Sequence, residues 1–287
     1  VNKTKRLRKM IEGRGIIVLP GIYDCLSARI AEKTGFEAVF TSGFGISASK
    51  LGLPDYGLIT ASEMIESVQK ITDSVDIPVV ADIDTGYGNP LNVIRTVEQI
   101  ISAGVSGIIL EDQLWPKKCG HMEGKKVITS AEHVEKIKAA REAAGKEDLL
   151  IIARTDCRAE LGLDEAIRRG HEYEQAGADV IFIEAPQSAQ ELRKIVNSFA
   201  GTPLFANMVE GGKTPILTAD ELEDLGFKIV VYPVSGLFAA ANAIGSCFNF
   251  LKENRTTIGF ENDLSFSDFE KIIDLQKYSK LEKKYIS

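Results

Sequence analysis

The amino-acid sequence predicts a (β/α)8 barrel of the α/β class with a C-terminal helical extension. Three observations carry that prediction. Eight short apolar runs rich in Ile and Val recur along the 287 residues, too continuous for half-exposed strands and suited to a buried parallel sheet. Segments of helical period separate most of these runs. Gly35, Gly104, Gly177 and Gly226 each follow a helical segment and precede an apolar run by a few residues, which is a weak internal repeat. Eight βα units in about 250 residues suit a closed barrel, whereas a doubly wound sheet usually has fewer strands and a glycine-rich nucleotide turn.

In chain order the strands are expected at 16–19, 38–41, 78–81, 107–110, 149–153, 180–183, 203–206 and 229–232. Between them, Ile94, Val97 and Ile101 fall at i, i+3 and i+7, and Val134 and Ile137 repeat the three-residue step, as amphipathic crossover helices require. Two repeats run at identical spacing, from Ala103-Gly104 to Glu111 and from Ala176-Gly177 to Glu184. Seven residues beyond each of the four glycines stand Ser42, Glu111, Glu184 and Pro233, so three polar side chains fall at equivalent C-terminal strand ends, where a barrel carries its chemistry. Long connections without clear helical period follow strand two (43–60) and strand four (112–129), both on that face. The tail, 253–287, has helical pattern in Phe269, Ile272, Ile273, Leu275 and Tyr278 but no further strand, and reads as an appendage to one domain spanning 1–287.

Composition narrows the partners. Lys and Arg number 34 against 41 Asp and Glu, a net charge of −7, and no long basic run is present to neutralise a phosphate backbone, so nucleic acid is not an expected partner. No stretch approaches the roughly 18 consecutive apolar residues of a membrane span, and the basic segment 1–12 lacks the apolar core of a secretion signal. Cys25, Cys119, Cys157 and Cys247 lie far apart with no CxxC pair, which fits neither a disulfide framework nor a zinc site. A reducing cytoplasm is the expected compartment.

Three groups of residues carry chemistry. Asp82 and Asp84 sit at i and i+2, on one side of the end of strand three, and Glu111 ends strand four. Such carboxylates together need a compensating cation, and hard oxygen ligands favour Mg2+, with Mn2+ possible. The alternative is that the two aspartates only cap the turn through Gly88-Asn89-Pro90 and the helix after it. The loop 117–125 gathers Cys119, His121, Glu123 and three lysines, with Lys126 just beyond. Cations there are expected to lower the Cys119 thiol pKa, while Gly120 and Gly124 would let the loop close over a ligand. A solvated basic loop with an incidental thiol is the plainer reading. Arg154, Glu184 and Asn207 end strands five, six and seven; Arg154 suits a carboxylate ligand, or else merely pairs with Glu184. Cys25, Cys157 and Cys247 are expected to be packed small residues, and His133 and His171 to lie on helix surfaces.

Together these segments resemble the isocitrate lyase / phosphoenolpyruvate mutase superfamily, from about Gly21 to Leu251. The resemblance rests on Thr41-Ser42-Gly43-Phe44-Gly45, Leu53-Pro54-Asp55, Asp82-Ile83-Asp84-Thr85-Gly86-Tyr87-Gly88, Glu111-Asp112-Gln113, Lys118-Cys119-Gly120-His121, Ala153-Arg154-Thr155-Asp156 and Glu184-Ala185-Pro186. Lys-Cys-Gly-His marks the carbon–carbon lyase branch of that family. Within it, Ala206-Asn207-Met208-Val209-Glu210-Gly211-Gly212-Lys213-Thr214-Pro215 looks most like the 2-alkylmalate and dimethylmalate lyases.

The resemblance implies Mg2+ held by Asp84 directly, with Asp82 and Glu111 contributing directly or through water. It implies that Ser42, Gly43 and Asp55 hold the α-oxo or α-hydroxy carboxylate of a small dicarboxylate substrate beside the metal. Gly120 belongs to the closing loop, and Arg154 would orient the substrate. Glu184, Asn207 and Thr214 would shape the opposite wall, Cys119 would be the catalytic acid, and Lys118 and His121 would supply positive charge. Where methylisocitrate lyases carry an arginine, alignment through Tyr232-Pro233-Val234-Ser235-Gly236-Leu237 places Phe238, which argues for a smaller dicarboxylate. The implied reaction is cleavage of a 2-hydroxydicarboxylate such as 2,3-dimethylmalate to pyruvate and propionate. Methylisocitrate cleavage and oxaloacetate hydrolysis are the nearest alternatives, and a metabolite-binding barrel without turnover is the non-enzymatic one. Family members commonly form tetramers that exchange a C-terminal helix, so a homotetramer is implied. No general base is identifiable: Phe40 and Phe44 stand where an aromatic hydroxyl would be sought.

Overall fold

A computed structural model describes residues 2–261 and 263–286. Strands β1 (Ile17–Ile22), β2 (Val39–Thr41), β3 (Val79–Asp82), β4 (Gly107–Glu111), β5 (Leu150–Thr155), β6 (Val180–Ile183), β7 (Leu204–Asn207) and β8 (Ile229–Tyr232) are all parallel. They close in sequence order, with β8 returning to β1 from Ile17↔Ile229 to Pro20↔Tyr232. All eight strands lie within a few residues of their expected positions, and β6 and β8 coincide with them.

Strand side chains alternate between two buried environments, which is why the runs read as continuously apolar. Ile17, Leu19, Val80, Ile109, Leu150, Ile152, Phe182, Phe205 and Val231 fill the barrel interior. Their neighbours Val79, Ala81, Ile108, Leu110, Ile151, Ala153, Ile181 and Ile183 pack outward against the helices. Those helices are α2 (Cys25–Thr34), α4 (Ala61–Ser74), α5 (Pro90–Ser102), α6 (Ser130–Ala144), α8 (Leu163–Gln175), α9 (Ala189–Ser198) and α10 (Ala219–Leu225). Thr60, Asn89, Thr129, Ser188 and Thr218 cap the starts of five of them, each accepting a backbone N–H from the first turn.

The basic N-terminal segment, for which no fold was expected, is helix α1 (Lys3–Glu12). It closes the bottom of the barrel: Leu7 is fully buried among the interior side chains, and the Arg8 guanidinium donates to Asp179 Oδ1 at 2.9 Å. The connection after β2 also differs from expectation. It opens with a helical turn α3 (Gly43–Ile46), capped by the Ser42 hydroxyl, which runs into a π-helical turn (Ser47–Leu51). Nine residues carrying two glycines and two serines are too few and too polar to display a helical period.

A four-residue helix α7 (Arg158–Leu161) follows β5. After β8 the chain leaves the barrel along α11 (Ser235–Asn254), a 20-residue helix none of whose side chains is buried, with Phe238, Ile244, Phe248 and Leu251 exposed along it. The tail folds as α12 (Phe266–Ile272) and α13 (Leu275–Tyr285), also without buried residues, tied to α2 by Arg29 to Asp274 at 2.6 Å. Among the described residues no helix is long and apolar enough to cross a membrane.

Candidate active site

The parallel barrel brings the C-terminal ends of its strands to one rim, and a cavity of about 240 Å³ opens there. Ten of the expected residues line it: Ser42, Gly43, Asp55, Asp82, Cys119, Gly120, His121, Arg154, Glu184 and Asn207. Asp84 and Glu111 lie buried just behind that lining. Thr214 is also buried outside it, its hydroxyl without a partner. The lining is also apolar in part, with Phe40, Phe44, Phe182, Phe205, Val231 and Phe238.

At the end of β3 the chain turns sharply. Asp84 adopts φ +51°, and its N–H donates to Asp82 Oδ1 at 3.0 Å. Gly43 lies against this pair so closely that a Cβ there would stand 2.8 Å from Asp82 Oδ2, so only glycine admits both carboxylates. The Tyr87 hydroxyl donates to Asp84 Oδ2 at 3.2 Å. Opposite them the Lys117 ammonium stands 2.6 Å from Asp84 Oδ1 and 2.8 Å from Asp55 Oδ2. Lys117 is the buried cation that sequence reasoning missed, having given the role to Lys118. The Gln113 side chain grips both the N–H and the carbonyl of Lys118, whose ammonium lies over the Tyr56 ring at 5.9 Å. Nothing in a run of two lysines says which one turns inward.

Arg154 is shared. Its Nε lies 2.8 Å from Asp156 Oδ2 and 3.3 Å from Glu111 Oε2, and its Nη2 lies 3.4 Å from Glu184 Oε2. It therefore does not merely pair with Glu184. Burial together with Arg154 and Lys125 leaves Asp156 strongly acidic on balance, because the cations outweigh the burial. Glu184 is likewise drawn down to about 2: burial resists, and Arg154 and His121 prevail. The His121 Nε2 is 3.2 Å from Glu184 Oε1, and its Nδ1 accepts the Lys213 N–H at 3.0 Å, which assigns the ring proton to Nε2.

Six buried carboxylates (Asp55, Asp82, Asp84, Glu111, Asp156 and Glu184) thus share three buried cations (Lys117, Lys125 and Arg154). The imbalance falls on the β3–β4 side. Burial and the neighbouring Asp84 push Asp82 up to about 6, and burial lifts Glu111 well above the usual carboxylate range against Arg154 and Lys117. Glu111 Oε1 and Asp55 Oδ1 have no hydrogen-bond partner. Excess buried negative charge with orphaned acceptors is the environment a hard divalent cation relieves. Among the described residues no three His, Cys, Asp or Glu side chains converge closely enough to hold a metal by themselves.

Two expectations are corrected. The Cys119 thiol is raised above its ordinary pKa, because burial, helped by Asp55, outweighs the cations Lys117 and Arg154. His133 is not on a helix surface. It is fully buried, edge-on to Tyr173 at 4.6 Å between centroids, and burial with Lys136 and Arg169 nearby holds it down to about 3. The inner face of α6 is polar there, Lys136 donating to the Thr85 carbonyl at 3.1 Å, so apolar period could not reveal it. His171 is half exposed as expected; Cys157 is buried, while Cys25 and Cys247 are only partly so.

The family model for phosphoenolpyruvate phosphomutase matches residues 7–251. The chain belongs to that family. Among its curated phosphoenolpyruvate phosphomutase family relatives, the petal death protein of Dianthus caryophyllus is 45% identical over 97% of this chain and 88% of its own. The 2,3-dimethylmalate lyase of Eubacterium barkeri is 43% identical over 99% of both, and the 2-methylisocitrate lyase of Bacillus subtilis is 45% identical over 87% and 81%. A solved oxaloacetate acetylhydrolase holding 3,3-difluorooxalacetate superposes with a TM-score of 0.95 at 35% identity, covering 99% of this chain and 97% of that one.

Proposed function

We propose that this protein is a Mg2+-dependent carbon–carbon lyase that cleaves 2,3-dimethylmalate or another 2-alkylmalate to an α-keto acid such as pyruvate and a carboxylic acid such as propionate. One observation carries the reading: carboxylates, a set of aromatic and aliphatic side chains and the Cys119 thiol line one cavity. The carboxylates suit the metal and the polar end of the substrate, and the apolar side chains suit alkyl substituents.

Asp82, Asp84 and Glu111 are the residues that would hold Mg2+, with water completing its shell. When bound, Mg2+ supplies Lewis-acid stabilisation to the 2-hydroxyl oxygen and the adjacent carboxylate. Ser42 and Gly43, at the start of α3, bind that carboxylate. Arg154, fixed by Asp156 and Glu111, orients the substrate with its remaining donor capacity. The 2-hydroxyl gives up its proton to water in the cavity as its oxygen becomes the carbonyl of the α-keto acid. The C2–C3 bond breaks, its electron pair passes to C3, and the leaving acid develops negative charge. Lys117 and His121, both lining the cavity, are the positive and donor groups that would meet it. Cys119 then delivers a proton to C3, and its raised pKa keeps it protonated for that task.

Methylisocitrate, which would give pyruvate and succinate, is the second reading, favoured by the 45% identity to the Bacillus subtilis enzyme. The free apolar face of α11 and the tail suit a second copy of the chain, as in a homotetramer, and four unpaired thiols suit the cytoplasm. The test is pyruvate release, coupled to NADH oxidation, across a panel of malates and methylisocitrate. Turnover of a dimethylmalate that stops on chelation and returns with Mg2+ is expected. Turnover that survives thorough chelation rules out the metal.

A further inference from the structure

The loop 117–125 packs down on the site, held by contacts within the chain. Gly120 sits directly on the site: a Cβ there would lie 2.3 Å from Arg154 Nη2 and 2.8 Å from Glu184 Cδ. The Cys119 N–H donates to the Asp55 carbonyl at 3.2 Å, and Gly212 of the β7 connection leaves room for His121 only because it has no side chain. Beneath the loop the Lys125 side chain runs inward until it is almost wholly buried. Its ammonium donates to the Gly120 carbonyl and, at 2.9 Å, to Asp156 Oδ1. A buried ammonium is tolerated only when acceptors meet it, so these two contacts define where the loop rests.

Asp156 is itself held on several sides. Its N–H donates to Asp112 Oδ1 at 2.8 Å, and Asp112 Oδ2 accepts from Thr155, Arg169 and Tyr173 at 2.7 to 2.8 Å, joining β4, β5 and α8. The same Asp156 carboxylate receives both the Nε and Nη2 of Arg154. One carboxylate therefore fixes the substrate-orienting arginine and the loop that carries the acid.

We propose that Lys125 is a positioning residue: it latches the loop 117–125 shut through Asp156 and so registers Cys119 against Arg154. The latch rests on the lyase reading of the site for its consequence in turnover, but its existence does not. In Lys125→Met, hydrogen–deuterium exchange should rise roughly tenfold in the loop amides, Cys119 and Met122 among them, with β4 and β5 unchanged. Turnover should fall by roughly a hundredfold, mostly in kcat rather than KM, because the acid is displaced while the carboxylates of the cavity remain. Lys125→Arg, which keeps donors for both acceptors, should restore part of both. If Lys125→Met does not fold, Lys125→Gln carries the same comparison with one donor retained.

Unchanged loop exchange in the folded variant overturns the latch. So does a rise that spreads equally through the barrel strands, which would make Lys125 a residue of general stability. A wild-type protein that releases no pyruvate from any dicarboxylate refutes the lyase reading instead, and the exchange comparison, needing no substrate, still decides the latch.

Discussion

On the lyase reading, Phe238 is expected to decide which dicarboxylate fits. It stands in the first turn of α11, 45% exposed, and lines the cavity together with the apolar side chains of Phe40, Phe44, Phe182, Phe205 and Val231. Every strong cation of the lining is already engaged: Lys117 by Asp55 and Asp84, Arg154 by Asp156, Glu111 and Glu184. The third carboxylate of methylisocitrate would meet no unshared positive charge. Fully buried, it would cost about 3–5 kcal/mol. The half-exposed rim discounts that to about 2 kcal/mol, roughly thirtyfold in kcat/KM. Methyl groups buried against these apolar side chains gain about 0.8 kcal/mol each, roughly fourfold, so kcat/KM should climb about fifteenfold from malate through 2-methylmalate to 2,3-dimethylmalate. Phe238→Arg should recover part of the methylisocitrate activity and lose part of the preference for methyl groups. The coupled pyruvate assay on purified diastereomers measures all of this. Efficient methylisocitrate cleavage by the unmodified protein, with dimethylmalate inert, would refute the reasoning and establish the second reading.

Cys119→Ser should keep ligand binding, followed by calorimetry with oxalate, while kcat falls at least about a hundredfold, because a hydroxyl is a far weaker acid than a thiol; near wild-type kcat would remove Cys119 from the reaction. His133 gives a pH prediction. Its folded pKa of about 3 lies below the unfolded value of about 6.5, so its contribution to stability is full above pH 6.5 and drains away as pH falls towards 3. Between pH 7 and 5 this amounts to about 2 kcal/mol in urea unfolding, and His133→Gln should lose that component; an identical pH dependence in the variant would show that His133 titrates alike in both states. The bare apolar face of α11 and the tail should bring chains together at micromolar concentration, and a monomeric mass by light scattering would count against the oligomer.

The barrel was legible because parallel strands buried on both faces leave a signal that needs no partner to interpret: Val180–Ile183 reads as strand in any register. Most of the rim was legible for a related reason, since a closed barrel converts position at a strand end into position in the site, and Ser42, Asp82, Arg154 and Glu184 all arrive there. What stayed hidden was the inner electrostatics. Lys117, Asp112, Asp156 and His133 differ from surface residues only in what surrounds them, and one-dimensional periodicity sees apolar burial, not paired polar burial. The thiol went wrong in the same way. Counting nearby cations omitted the loss of water around Cys119, which is the larger effect. Helix α1 was missed because its one fully buried residue, Leu7, stands among five Lys and Arg residues of its ten positions, and only Met10 and Ile11 join it on the inward side.

That one leucine sets an order of events in folding. Leu7 packs into a cluster that draws on all eight strands, from Leu19 of β1 to Val231 of β8. Its burial site does not exist until the last strand has closed on the first. The helix nearest the start of the chain is therefore expected to dock fully only after the ring has closed. Amide protection in α1 should appear only with the slowest refolding phase, making this helix a natural reporter of ring closure.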